Sequence, residues 1–438
     1  MKKIFLLFMV FSAAAFTQQK MSLTVDQAVA IGLENSKALH SSQMRVQYAD
    51  AKSSEISAQQ YPSLKFGGSY TRLSEVPPFE IGPIPPILPT AVTVSPSLLN
   101  SYNMRVTVQQ PLFTGFRLQS SVNAADYSAE ASAQDYTKDK SDLVYNVKNA
   151  YWSLFKARQF EKFLGETVAQ IQAHLTDVQN MFQQGLVTKN EVLKVQVQLS
   201  NAQLMHIDAK NTVQLARIGL NNTLGIVLDT EIDLATDIKH SPKEFQPLEV
   251  LIQTAMENRP DMKAMDLRVK AGEAGVTAAK GNWFPQLYLL GNYYYARPNQ
   301  RIFPTKDEFR DTWDVSLSVS LDIWNWGTTI HQTSQARAQL EQARDGLAQL
   351  RDGVTFDVTQ NYLNVRQQKE KVSVAEQGVA QAEENFRVTS EKFKAGLASN
   401  SDLLDAETAL LQARTNHTQT IVDYELAEAR LEKAVGNQ

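Results

Sequence analysis

Phe393-Lys394-Ala395-Gly396-Leu397-Ala398-Ser399-Asn400-Ser401-Asp402 closes one long apolar periodicity and opens another, and Phe182-Gln183-Gln184-Gly185-Leu186-Val187-Thr188-Lys189-Asn190-Glu191 does the same 211 positions earlier. The displacement of 211 also carries Leu143 to Val354, Tyr151 to Tyr362, His206 to His417 and Leu224-Gly225 to Val435-Gly436. Upstream the displacement is 223, taking Glu34-Asn35 to Glu257-Asn258, Tyr61-Pro62 to Phe284-Pro285 and Gly68 to Gly291. The chain is therefore a tandem duplication. Two copies fall short of the about three or more repeats that stabilise a solenoid, so a closed or ring-like object is expected.

The periodicity on each side of these turns is a heptad seam. Leu143, Val147, Ala150, Leu154, Ala157, Glu161, Leu164, Val168, Ile171, Leu175, Val178 and Phe182 alternate steps of four and three. Beyond Gly185 the return seam runs Val192, Val195, Leu199, Ala202, His206, Ala209, Val213, Ala216, Leu220. The second half repeats both, the return from Leu403 to Leu431. Such spacing predicts long antiparallel helical hairpins with coiled-coil packing. Gly185 and Gly396 suit the left-handed residue that ends a helix. An outward arm starting near Gly115 or Gly327 has roughly 70 residues and, at about 1.5 Å each, reaches on the order of 100 Å.

Proline divides the chain the same way. Nine of its 15 prolines lie between Tyr61 and Phe113 and six between Ile238 and Pro304, leaving two Pro-free blocks. Each Pro-containing segment opens with a helix, over residues 24–58 and 247–281, the first with Thr24 and Gln27 as a capping box. Each helix stops before Pro62 or Pro285. Strands follow at about 63–73, 101–112, 286–296 and 312–323. The clearest has Trp313, Val315, Leu317, Val319, Leu321 and Ile323 alternating with polar residues, a period of two with one apolar face. Aromatic residues cluster at the strand ends, and about ten tilted residues suffice to cross a bilayer.

Lys2-Lys3, the apolar residues 4–11 and Ser12-Ala13-Ala14-Ala15 read as a secretory signal peptide over residues 1–15, with cleavage after Ala15 or near Gln18. The chain has no cysteine, which excludes disulfides, thiol catalysis and cysteine-held zinc. Its formal net charge of −4 argues against a nucleic-acid partner. No nucleophile elbow, phosphate loop or metal-ligand spacing is present, so neither an enzyme nor a cofactor is expected. His206 and His417 read as a duplicated half-buried seam residue rather than a metal pair.

Alternation alone also fits a soluble sandwich. The signal peptide, aromatic flanks and long helices favour the membrane. Lipid tolerates no open sheet edge, so four strands per chain must close with sister chains. Two chains give eight strands and a filled interior, whereas three give twelve and an aqueous lumen. All four helical connections then leave one end of the strands, with loops 74–100 and 298–311 at the other.

Over essentially its whole mature length the chain resembles the TolC family of outer-membrane efflux ducts, through the tandem repeat, the strand-strand-hairpin order and the tip from Phe393 to Asp405. The resemblance implies a mostly α fold with a membrane β-barrel: a homotrimer in the outer membrane, four strands per chain in a 12-stranded barrel on a periplasmic α-barrel. It implies an exit duct for small toxic compounds or secreted polypeptides, docked through a periplasmic adaptor to an inner-membrane pump. The duplicated halves then span residues 16–225 and 247–438, with 226–246 as the inter-repeat linker in the equatorial region. By resemblance Asp402 and Asp405 form carboxylate rings at a closed tip, with Glu191 the first hairpin's equivalent acid. Gly185, Leu186, Gly396 and Leu397 mark the adaptor-docking tips. The structural alternative for all three acids is favourable charge at a helix N-terminus. Phe393 and Ala398 stand where the family has a hydroxylated ring and an Arg, so the gate is expected to rest on packing and another polar pair. The rival readings are a partner-independent porin and a soluble secreted coiled-coil scaffold or adhesin.

Overall fold

The computed structural model describes residues 21–236 and 243–437; the expected signal peptide lies outside them. In chain order the elements are β1 (Met21–Leu23), α1 (Val25–Asn35), α2 (Lys37–Ala58), β2 (Ser63–Arg72), β3 (Phe79–Ile81), β4 (Val92–Ser95), β5 (Asn100–Phe113), α3 (Arg117–Gln183) and α4 (Lys189–Leu224). The second half follows with β6 (Ile232–Leu234), α5 (Leu248–Asn258), α6 (Pro260–Lys280), β7 (Gln286–Arg297), β8 (Arg310–Ser320), α7 (Thr328–Lys394) and α8 (Asn400–Val435). The fold is mostly helical. Both outward arms, α3 and α7, have 67 residues and both return arms, α4 and α8, have 36.

The chain forms two compact units that cut across the duplication. One gathers Gln43–Asp135 and Asp261–Leu350 and contains the main sheet. Its order is β2-β5-β7-β8, antiparallel throughout. The starts of β2 and β7 and the ends of β5 and β8 therefore share one edge of the sheet, where the helices connect. The register puts Phe66, Val106 and Tyr293 in one row and Leu289 opposite Leu317, so one face is apolar. Trp313, Val315, Leu317 and Val319 on that face are 59–69% exposed, an unusual display of apolar surface. In the same unit Val269 and Val276 of α6 pack on Leu340 of α7.

The other unit holds the described residues up to Ser42, Tyr136–Pro260 and the chain from Arg351 onward. Its central core joins Leu23 and Ala28, Val147, Tyr151 and Leu154, Leu220 and Leu224, and Ile232 and Val422. The seam positions of α3 fill it as heptad spacing dictates. The Tyr151 hydroxyl donates to the Leu23 carbonyl at 2.8 Å, tying α3 to β1.

Several local expectations need correction. The helices over 24–58 and 247–281 are each broken, at Ser36 and at Arg259. Ser36 is extended and its hydroxyl accepts from the Leu39 N–H, capping a new helix; Arg259 precedes Pro260, which disfavours helical backbone. The breaks are a duplicated device. Gly225, left-handed at φ 70°, sits so close that a Cβ there would lie 2.9 Å from the Asn35 carbonyl, and Gly436, at φ 84°, would lie 3.0 Å from the Arg259 nitrogen. Strand β8 ends at Ser320, short of Ile323, because its partner β7 begins after Pro285, which has no N–H to extend the ladder. Two small pairings were not foreseen: β1 of the first repeat with β6 of the inter-repeat linker, in parallel, and β3 with β4 within the Pro-rich loop.

Candidate functional site

The hairpin turns have identical backbone chemistry. Gly185 and Gly396 adopt φ 75° and 74°. The Gly185 N–H donates to the Phe182 carbonyl at 2.9 Å and the Leu186 N–H to Met181 at 2.9 Å; Gly396 to Phe393 at 2.9 Å and Leu397 to Lys392 at 2.8 Å repeat the motif. These are Schellman ends that satisfy the last carbonyls of α3 and α7. They leave Leu186 and Leu397 69% and 79% exposed.

The helix starts that follow differ. Ser399 caps α8: its hydroxyl accepts from the Asp402 N–H at 3.2 Å, while the Asp402 carboxylate accepts from the Ser399 N–H at 2.8 Å and hydroxyl at 2.7 Å. Those bonds, the hydroxyl's first, hold the Asp402 pKa below its ordinary value. Thr188, at the start of α4, makes no side-chain cap bond. Glu191 is thus free to turn elsewhere. It accepts from Lys194 Nζ at 3.0 Å and from Asn400 Nδ2 at 3.1 Å, and its pKa is lowered, chiefly by Lys194 and then by Asn400.

Asn400 is buried and continues the chain inward. Because its Nδ2 donates to Glu191, its Oδ1 is the acceptor facing His174 Nε2, which fixes the proton on that ring nitrogen. His174 is also buried and meets the Phe393 ring edge-on at 4.9 Å. Glu191 of α4, His174 of α3 and Asn400 of α8, with Phe393 of α7 against the imidazole, thereby join both hairpins. Around them lies an apolar cluster with Ile171, Val178, Val195 and Leu403. Phe393 thus packs on His174, and a polar contact between the two hairpins runs through His174 and Asn400.

The three predicted acids do not converge. Asp402 closes its own cap, Glu191 reaches across to α8, and Asp405 is exposed on a groove of about 460 Å³ between α4 and α8, beside Leu193, Lys194, Val197 and Leu404. Sequence reasoning missed Glu407 as well as His174 and Asn400. Glu407 is buried, one of its carboxylate oxygens has no hydrogen-bond partner, and desolvation raises its pKa to about 7. Its signal was weak: seven residues from Asn400 is two helical turns, hence the same face. His206 Nε2 lies 2.9 Å from a Glu161 carboxylate oxygen across the first hairpin, and His417 is half-buried. No cluster of three or more potential metal ligands occurs among the described residues.

The profile of outer membrane efflux proteins matches residues 30–226 and 251–437. The chain belongs to the outer membrane efflux protein family. It is 26% identical over 317 residues to Protein CyaE of Bordetella pertussis, across 72% of this chain and 66% of that protein. It is 23% identical over 317 residues to Outer membrane protein TolC of Vibrio cholerae, across 72% of each. The Campylobacter jejuni CmeC outer membrane channel has the same fold, with a TM-score of 0.80 over 94% of this chain and 85% of that one at 16% identity. This efflux protein is accordingly an outer-membrane exit duct. No helix among its described residues is long and apolar enough to cross a membrane.

Proposed function

We propose that three copies of this efflux protein close their sheets into one 12-stranded barrel, which three sets of hairpins continue as a periplasmic tunnel. The observation that carries this reading is the main sheet: four strands, two unpaired edges, an exposed apolar face and all four connections to the adjoining helices at one end. Hydrocarbon forbids such edges unless they pair. Strands of 10, 14, 12 and 11 residues suit a tilted crossing. Aromatic rings flank both ends: Tyr70, Tyr102, Tyr295 and Phe309 in mutual contact on the loop side, Trp283, Trp324 and Trp326 on the helical side. The precursor divides into the leader at 1–15, repeats at 16–225 and 247–438, and the linker 226–246; the two separately matched segments support that division.

The duct is passive. Its cargo, small compounds or polypeptides, arrives from an inner-membrane pump through an adaptor, for which the exposed Leu186 and Leu397 beside Gly185 and Gly396 offer apolar contacts. Asp405, Asp402 and Glu191 surround the closed tip with negative charge and favour cations. Cross-linking of membrane fractions tests the assembly: a detergent-requiring species of three chain masses is expected, and a water-soluble monomer removes it. Asp405→Lys should weaken or reverse cation preference in single-channel recordings; unchanged selectivity leaves that carboxylate outside the gate.

A further inference from the structure

The polar face of the main sheet carries two cations that nothing in the sheet neutralises. Five basic residues lie on the four strands. Arg72 donates to Asn100 Oδ1 at 2.7 Å, Arg297 pairs with Asp307 at 2.9 Å, and Arg310 with Glu308 at 2.9 Å. Lys65 and Arg105 have no ion pair or side-chain hydrogen bond among the described residues, and both are exposed. The register brings them together. Lys65 lies opposite Thr107 and Arg105 opposite Gly67, so the two are diagonal neighbours on one face, about 7–8 Å apart. Both belong to the rows facing away from Phe66 and Val106, hence away from lipid in the barrel.

The surroundings keep them available. Gly67 offers Arg105 no side chain, and a Cβ there would meet nothing within 4 Å. Tyr294 lies opposite Arg105 on β7. The one carboxylate on the polar rows, Asp314, is already occupied: Asn292 Nδ2 donates to it at 2.8 Å, and Arg301 pairs with it at 3.5 Å. Thr107 in turn donates to Asn292 at 2.9 Å, so the row beside Lys65 is closed by its own hydrogen bonds. A guanidinium and an ammonium at this separation can grip one anionic group from two sides.

We infer that Lys65 and Arg105 form an anion-recognising band on the inner wall of the barrel, taking cargo or solutes that carry phosphate, sulfate or carboxylate groups. The inference rests on the proposed barrel, in which three copies bring six cations around one lumen. The acidic tip favours cations, whereas the middle and helical half of the barrel wall hold the opposite charge, and the two stages select separately.

Planar-bilayer recordings of the purified full chain test this with tripolyphosphate added to the strand-loop side, which the anion reaches before the tip. Wild type should be blocked. K65Q/R105Q should need about tenfold more anion for equal block, the loss of roughly one well-placed charge contact, while still inserting and conducting KCl, which shows that it folds. R105K, which keeps the charge, should retain most of the block, and Asp405→Lys at the tip should leave it unchanged. Equal block of wild type and K65Q/R105Q, block only from the helical side, or an R105K loss as large as that of Arg105→Gln overturns the inference. Absence of any channel overturns the duct reading itself, a result distinct from all of these.

Discussion

The tips of the two hairpins descend from one segment, and their Schellman turns still match in every hydrogen bond. They differ in the N-cap and the three residues that open the next helix, Thr188-Lys189-Asn190-Glu191 against Ser399-Asn400-Ser401-Asp402. At the second tip Ser399 and Asp402 satisfy each other in a capping box. At the first, Thr188 makes no such bond, and Glu191 instead reaches Asn400 on the other hairpin. A duplicated acid has thus acquired two roles: one finishes a helix locally, the other couples hairpins. Once Asp402 is committed to its own backbone it cannot take part in a cross-hairpin contact, and Asn400, two positions earlier, supplies the partner.

The sharpest test of that asymmetry is Glu407, whose counterpart in the first repeat, Gln196, is exposed and uncharged. Its raised pKa favours the protonated, packed tip. The contribution is fully present below the ordinary carboxylate value near 4.5, fades as pH rises toward about 7, and is absent above that. Thermal melts should show a stability loss of about 3 kcal/mol across that interval, and Glu407→Gln should flatten it; an unchanged pH profile would break the assignment. Glu191 and Asp402 run the other way, since lowered pKa values give stability that is lost as pH falls below their ordinary range.

Asn400→Ala leaves the His174 N–H and one Glu191 oxygen without partners and should cost about 2 kcal/mol, the penalty of orphaned polar groups, and raise the leak conductance of the closed channel. Equal effects from Asn190→Ala, at the exposed first-tip position next to Glu191, would remove the asymmetry. Replacing Gly185 or Gly396 by Ala strains a left-handed residue by about 1–2 kcal/mol at either tip, so the two melts should shift alike. Smallest, Ser399→Ala should cost about 1 kcal/mol and Thr188→Ala much less. A larger loss at Thr188 would show that the first tip is capped after all.

The repeat, the hairpins and the seams were legible because each depends on spacing along one helix. Val147, Leu154, Val178, Val354, Val358 and Val365 are buried as the period requires. The strands were legible through alternation, although their ends shifted where Pro285 stops the ladder. The capping box at Thr24 was read correctly, yet the stronger one at Ser399 was overlooked, and it decides where Asp402 points. The candidate site was legible only as a place. Its acids were named, but their partners were not, because His174 and Asn400 are 226 positions apart and no periodicity links them.

By itself the sequence determined the duplication, the long hairpins, the turn glycines and an amphipathic sheet, since all follow from local sterics and periodic burial. Only the tertiary structure decided which hairpin faces meet, that Glu191 serves Asn400 while Asp402 serves Ser399, and that Lys65 and Arg105 are diagonal neighbours with no counter-ion among the described residues. Those outcomes depend on which surfaces are brought together across the chain, and hydrogen bonding and charge neutralisation are settled there, between residues that no local pattern relates.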